Sequence, residues 1–228
     1  LSPEEHEVIR NQLFVPMLKN IDKNKRGKSN WQSWHNAAML SGGAVIGDAD
    51  WVNKAVHQEK HGFLFQMDVS VSGDGFWYEN SWGYHFYTLA AQVGLSEGAR
   101  RLGIDLWHHP AMKKMCTIPA YYTMPDGKLP GFNDSHARRP SAKVLEAAYA
   151  VYQDPVILSL LEPEISFETI SSGRDVHRST ESVQLKSQLF AATGHAILRT
   201  DGAGKFAAIL DFASHGGGHG HYDALGFQ

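Results

Sequence analysis

The sequence predicts an α+β chain, with a helical region over residues 1–170 and an antiparallel β region over 171–228. Three observations predict it. Apolar residues recur at three- and four-residue spacing from Pro3 to about Val151, the spacing of one helix face. After about Ser171 the period shortens to brief apolar runs bounded by Gly, Asp and Thr, which is strand spacing. Helices come first and strands follow together, an order that needs separate helical and antiparallel layers rather than alternating βαβ units.

The first apolar stripe is Val8, Leu13, Met17 and Ile21, and the second is Trp34, Ala38 and Val45. Loop chemistry separates the helices: Arg26-Gly27-Lys28-Ser29 precedes the second stripe, Gly47-Asp48 follows it, and Gly73-Asp74-Gly75 precedes the next helix. Tyr78 to Leu95 reads as that helix, closed at Gly94 and Ser96. Pro119 to Pro140 holds too many turn residues for a helix and reads as a long ordered loop, a kind often used functionally, with Tyr121, Tyr122, Asn133, Arg138 and Arg139 available to a ligand. A further helix runs from Ser141, its expected cap, to Tyr152, with Val144, Leu145, Ala148 and Val151 as its stripe. Ser187–Ala192, His195–Arg199 and Lys205–Phe212 read as strands, and Asp201-Gly202-Ala203-Gly204 as a hairpin turn. Because it opens at Leu1 and stops inside a strand-like run, the chain reads as a fragment of a longer protein.

Composition narrows the function. A chain of 228 residues that is 43% hydrophobic can bury a sizeable core, and its formal net charge of −3 argues against a nucleic-acid binder. Cys116 is the only cysteine, so no internal disulfide forms and a metal would need His, Asp or Glu. No apolar run approaches the roughly 18 residues that span a bilayer. An acidic polymer would be held by local cations, of which Lys113, Lys114, Arg138, Arg139 and several of the 13 His are candidates.

Three segments carry candidate chemistry. The run His215-Gly216-Gly217-Gly218-His219-Gly220-His221-Tyr222-Asp223 sets three imidazoles among glycines that let the backbone bend sharply. On an extended strand His219 and His221 point the same way; the alternative is a surface loop. The segment from Asp74 to Tyr87 places Tyr84 and Tyr87 on one helix face with Glu79 and Asn80 a turn earlier, or is simply an aromatic packing helix. Ser29 to Asn36 sets Asn30, Trp31 and His35 at a helix start, where Asn30 also reads as a helix cap and His35 as a core histidine.

Together these segments resemble the heparinase II/III-like polysaccharide lyases, particularly their oligoalginate-lyase-like branch. The resemblance is carried in order along essentially the whole chain by Asn30-Trp31 with His35-Asn36, by Asp74-Gly75 followed by Glu79 and Tyr84-His85, by Phe132-Asn133-Asp134-Ser135, and by His215 to Asp223. It implies an incomplete α/α toroid of helical hairpins followed by the start of an antiparallel β-sandwich. It also implies a periplasmic or secreted enzyme that cleaves an acidic, uronic-acid-containing polysaccharide of alginate or glycosaminoglycan type by β-elimination.

Carried over residue by residue, the resemblance makes Tyr84 the acid, and the base as well for one substrate epimer. It makes His35 a partner base, Asn30 the amide on the uronate carboxylate, and His219 a second imidazole at the carboxylate or the base position. Tyr87 stands as a rival to Tyr84, and with Trp31, Glu79, Arg138 and Arg139 makes up the expected substrate contacts. The chemistry needs no cofactor. His221 matches a position that in several relatives holds a structural zinc with ligands from later strands, so His219 is expected to face the helical region and His221 a metal or buried partner. Two other functions stand beside this one: a glycoside hydrolase on a similar toroid, with paired carboxylates drawn from Asp74, Glu79 and Asp134, and a carbohydrate-binding relative without turnover.

Overall fold

The computed structural model describes residues 1–176, 183, 185–200, 206–221 and 225–227. The chain divides into two compact units, one of Leu1–Ser70 with Ala91–Leu106 and the other of Val71–Ala90 with Trp107–Gln228. This division does not follow the change from helix to strand.

The first unit holds α1 (Pro3–Ile9), α2 (Val15–Lys23), α3 (Asn30–Val45), α4 (Ala49–His57) and α5 (Phe63–Ser70). A capping box between Ser2 and Glu5 starts α1. Between α1 and α2 lies a π-helical turn, Arg10–Phe14. Its wider winding shifts the phase of the helix, so the expected stripe breaks: Val8 and Leu13 are exposed and Leu18 is buried.

The buried face of α3 also differs from the expected one. Trp34 and Val45 are exposed, whereas Gln32, Ser33, Asn36, Met39 and Leu40 are buried. Hydrogen bonds make burial of the polar residues tolerable: Gln32 Nε2 donates to Asn36 Oδ1 (2.9 Å), Asn36 Nδ2 to His61 O (2.8 Å), and Arg26 N to Gln32 Oε1 (2.7 Å). Ser29, not Asn30, caps α3, its Oγ accepting from Gln32 N at 3.1 Å. A Cβ on Gly43 would stand 2.7 Å from Trp51 Cβ, so α3 and α4 touch at a point where only glycine fits.

The long helix α6 (Trp82–Arg101) belongs to the second unit as far as Ala90 and to the first from Ala91. It starts later than expected, because Tyr78–Ser81 form a turn with Asn80 at φ 50°, and it runs through Gly94. Nothing lies within 4 Å of a Cβ built there, so Gly94 is neither a cap nor a close contact.

The second unit continues with α7 (Pro110–Tyr122), α8 (Ala142–Tyr152), α9 (Pro155–Leu158) and α10 (Phe167–Ser172). Helix α7 passes through Pro119, where a loop was expected. Proline supplies no N–H to the carbonyl four residues back, which is Met115 O. His85 Nε2 takes that carbonyl instead (3.0 Å), while His85 Nδ1 accepts from Trp77 N (3.3 Å). Full burial pushes the His85 imidazole down to about 4, so it is the neutral tautomer these two bonds require. Arg199 closes α7, one guanidinium nitrogen donating to Tyr121 O and Thr123 O (2.7 and 2.8 Å). Ser141 occupies the cap position of α8 but its side chain makes no capping bond.

β1 (Gln188–Phe190), β2 (His195–Arg199), β3 (Ala207–Asp211) and β4 (Gly226–Phe227) form one antiparallel sheet in that order. β1 and β3 are shorter than the apolar runs that announced them, while β2 fills its run. The expected turn Asp201-Gly202-Ala203-Gly204 lies outside the described residues. Phe190, His195, Ile197 and Ile209 are buried on one face, where Tyr122 Oη meets His195 Nδ1 at 2.8 Å. Tyr122 is thus a core residue and not a ligand contact. Leu189, Leu198 and Phe227 on the other face are exposed.

Candidate active site

Three stretches of the second unit are knitted together around the start of α6. Asn133 Nδ2 donates to Asn80 O (2.7 Å), Asn80 Nδ2 to Ser214 O (3.2 Å), Gly83 N to Ser135 Oγ (3.1 Å), and His221 N to Asn133 Oδ1 (2.7 Å). Asn80 and Asn133 both sit at positive φ (50° and 49°), a conformation that asparagine tolerates better than most residues.

The glycines of the His215 run have steric reasons. A Cβ on Gly216 would come within 2.6 Å of Glu79 O, and one on Gly220 within 2.4 Å of Gly216 N. Gly217 has φ +72° and lies against the Tyr78 ring. The loop therefore folds tightly on the 78–80 turn as a 3₁₀ turn, Gly217–His219, rather than as the extended strand expected.

This fold lays the His219 ring flat on Tyr84, with centroids 3.5 Å apart and planes 17° from parallel. His219 Nδ1 and His221 Nε2 both reach Asp134, at 3.0 Å to Oδ2 and 2.8 Å to Oδ1. The two bonds hold the Asp134 carboxyl below the usual carboxylate range. Tyr84 moves the other way: loss of solvent first, then the charges of Asp134 and Glu79, push its phenol above the ordinary value. A phenol so placed keeps its proton at neutral pH and is suited to donate it.

Tyr87 is exposed, with its ring 6.5 Å from that of Tyr84. Arg138 is exposed too, its guanidinium carbon 5.9 Å from the centre of the Phe86 ring. Arg139, the next residue along an extended stretch, is expected at the substrate but is engaged elsewhere: it lies over Gly127 and pairs with Glu162 (3.4 Å). Glu79 is likewise corrected. Its carboxylate is buried, accepting from Trp77 Nε1 (2.9 Å) and Tyr78 Oη (3.3 Å), and so braces the turn instead of meeting sugar. Lys113 pairs with Asp154 (2.7 Å) and Lys114 donates to Gly73 O (2.7 Å).

The expected division of labour between His219 and His221 does not appear, because one carboxylate holds both and His221 is largely exposed. Among the described residues no group of three or more His, Cys, Asp and Glu side chains could hold a metal ion; the structural zinc expected at His221 was to draw its other ligands from later strands. Asp134 was legible as part of a motif and as a candidate hydrolase carboxylate; nothing in the sequence marks it as the shared acceptor.

In the first unit, Asn30 is buried in the first turn of α3 and Trp31 is exposed with Arg26 5.9 Å over its ring. His35 is half-buried, and its Nδ1 has no hydrogen-bond partner. Burial, then the charge of Arg26, lower its pKa, which leaves a neutral imidazole able to accept a proton.

Comparison with known proteins decides the family. The alginate lyase family model matches residues 3–127, more than half of the chain. The chain belongs to the alginate lyase family. It is 26% identical to an alginate lyase of Stenotrophomonas maltophilia (strain K279a) over 254 residues, covering 99% of this chain and 34% of that protein. Two solved structures share its fold. A heparinase III superposes with a TM-score of 0.68 at 17% identity, over 92% of this chain and 32% of that one. A mutant of the heparan sulfate lyase HepC from Pedobacter heparinus gives 0.67 at 14%, over 93% and 33%. This member of the family thus spans about a third of the length of the relatives it matches.

Proposed function

We propose that this protein cleaves a uronic-acid-containing polysaccharide or oligosaccharide by β-elimination, with Tyr84 as acid and His219 as base. The observation that carries this reading is the Tyr84–His219 stack with Asp134 behind it. An acid that holds its proton and an imidazole held by a carboxylate stand side by side, as a reaction that removes one proton and delivers another requires.

The steps follow from the chemistry of the sugar. Removing the C5 proton places charge beside the uronate carboxylate, so that carboxylate must first be met by hydrogen-bond donors. His219 takes the C5 proton through Nε2, the C5–H electron pair becomes the C4–C5 double bond, and the C4–O4 bond breaks. Tyr84 gives its proton to the departing O4. The imidazolium then lies on the Tyr84 ring and against Asp134, both of which favour its charge. Proton exchange with solvent restores both groups. Arg138 and Tyr87 are placed as substrate contacts; Asn30 as carboxylate amide, His35 as a further base and Trp31 as a sugar platform rest on the family resemblance alone.

The same reading takes the helices as part of an α/α toroid over 1–170 and the sheet over 171–228 as part of a β-sandwich in a periplasmic or secreted enzyme. The exposed apolar side chains Leu189, Leu198 and Phe227 support the sandwich, since a sheet face of that kind is ordinarily covered. The test is a panel of alginate, heparan-type and other uronate polymers. A lyase releases products with a new ultraviolet absorbance from the unsaturated uronate. New reducing ends without that absorbance would make the protein a hydrolase, and binding without either would make it a lectin.

A further inference from the structure

Asp134 accounts for a feature that Tyr84 and His219 do not explain by themselves, namely which nitrogen of the imidazole carries the proton. We infer that Asp134 is a positioning residue that fixes His219 as the Nδ1–H tautomer and so turns Nε2, with its lone pair, to the substrate. The inference rests on the lyase reading for the role of His219, but the geometry behind it is independent of that reading.

An ionised carboxylate only accepts hydrogen bonds, so both imidazoles that touch Asp134 must donate to it. His219 therefore carries its proton on Nδ1 (3.0 Å to Oδ2) and His221 on Nε2 (2.8 Å to Oδ1). In a neutral His219 the lone pair is then on Nε2. The carboxylate is itself held in place: its neighbours Asn133 and Ser135 are bonded to Asn80 O and Gly83 N, at the turn that leads into the Tyr84 helix. His221 adds a second anchor, since its own N–H is bound to Asn133 Oδ1 at 2.7 Å. With one edge tethered at Nδ1 and one face lying on Tyr84, the His219 ring has a single orientation. When His219 takes the substrate proton, the same carboxylate faces the new imidazolium. Deleting a partner of this kind costs orientation and charge compensation without touching substrate.

Asp134→Asn tests this at nearly constant size. An amide accepts with its oxygen but donates with its nitrogen, so it can satisfy one imidazole as found and forces the other to change tautomer or lose its bond. With His219 assigned by its absence in His219→Ala, ¹⁵N spectra of histidine-labelled protein should show the Nδ1–H tautomer in the wild type and its loss in Asp134→Ala, where neither imidazole keeps an acceptor. On the polymer that the wild type cleaves, kcat should fall on the order of 10²-fold with KM within about 3-fold. Asp134→Glu, which keeps the carboxylate, should recover part of the loss. An Nε2–H tautomer in the wild type, or an unchanged tautomer in Asp134→Ala, overturns the inference. So does a fall in kcat that only follows a fall in melting temperature and is equal in the Glu and Asn variants, which marks a merely structural residue. If no polymer is cleaved, the lyase reading fails by itself, and the spectra still decide whether Asp134 sets the tautomer.

Discussion

Gly216→Ala isolates how closely the histidine loop must sit on the 78–80 turn. Gly216 has φ −83°, which alanine adopts freely, so the effect of the change is steric and not conformational. The new Cβ would lie 2.6 Å from Glu79 O, 2.7 Å from Glu79 C and 3.0 Å from Tyr78 O. All three are backbone atoms. The turn that carries them is braced by the Glu79 bond from Trp77 and by Asn133 on Asn80 O, so the loop must give way. Restoring an ordinary contact of at least 3.4 Å moves the backbone by about 0.8 Å, three residues before His219. A displacement of that size stretches the 3.0 Å bond to Asp134 beyond hydrogen-bond length and disturbs the 3.5 Å stack on Tyr84. Misplacement of a reacting group by roughly 1 Å costs on the order of 10²-fold in kcat. Gly218→Ala is the control, since nothing lies within 4 Å of its Cβ. Initial rates of ultraviolet-absorbing product should show the loss in Gly216→Ala and near-normal turnover in Gly218→Ala. Turnover within about 3-fold of wild type in Gly216→Ala would refute the argument from close approach, and equal losses in both variants would show that glycine flexibility matters rather than the space at residue 216.

In the proposed reaction Tyr84→Phe removes only the proton-delivering oxygen, so kcat should drop by at least about 10³-fold while KM and the melting temperature hold; loss in Tyr87→Phe with normal turnover in Tyr84→Phe would move the role to Tyr87. Arg138→Ala should raise KM on a charged oligosaccharide several-fold and Arg139→Ala should not, because Arg139 is tied to Glu162; equal effects would refute the distinction. Stability should depend on pH through His85, whose folded-state pKa is pushed down to about 4 by burial, below the ordinary imidazole value of 6.5. Protonation favours the unfolded chain, so the stabilisation is complete above about 6.5 and falls as pH drops toward 4, by about 3 kcal/mol in all. Urea unfolding of His85→Gln, which keeps a donor for Met115 O but does not titrate, should show a shallower decline over that range; parallel declines would exclude His85 as the cause.

Elements whose cause is local were readable in the sequence. β2 was expected at His195–Arg199 and occupies those residues, because Gly194 and Thr200 interrupt the apolar run at its two ends. α8 was legible for the same reason, from a Ser at its start and an apolar stripe. Elements whose cause is distant were not. Pro119 signals a helix end by every local rule, and α7 runs through it because His85, far back in the chain, takes the carbonyl that the proline leaves unmet. The buried face of α3 is not legible in the sequence because it is polar near its start, and only the bonds linking Gln32, Asn36 and His61 make it a core face.

The site follows the same rule. Tyr84, His219 and the glycines between the histidines were visible as letters, since each residue type carries its chemistry or its backbone freedom with it. Their relation was not, because it depends on pairs such as Asp134–His219, which lie 85 residues apart. Periodicity cannot report such a pair, and composition does not distinguish Asp134 from the other carboxylates. The consequence falls unevenly on the assigned roles. Arg139 and Glu79 had the right charge for the substrate or its hydroxyls, yet Arg139 is paired at the surface with Glu162 and Glu79 is buried on Trp77 and Tyr78. Charge alone therefore overstates the number of groups that a substrate meets, whereas a shared acceptor such as Asp134 adds a group that charge would have placed on the wrong side of the reaction. An anionic residue beside an anionic substrate is repulsive unless cations or donors face it, and the two imidazole N–H groups on Asp134 supply that compensation. Removing His221 should thus weaken the site through Asp134, as the loss of one of two donors to a carboxylate that must remain charged beside the substrate.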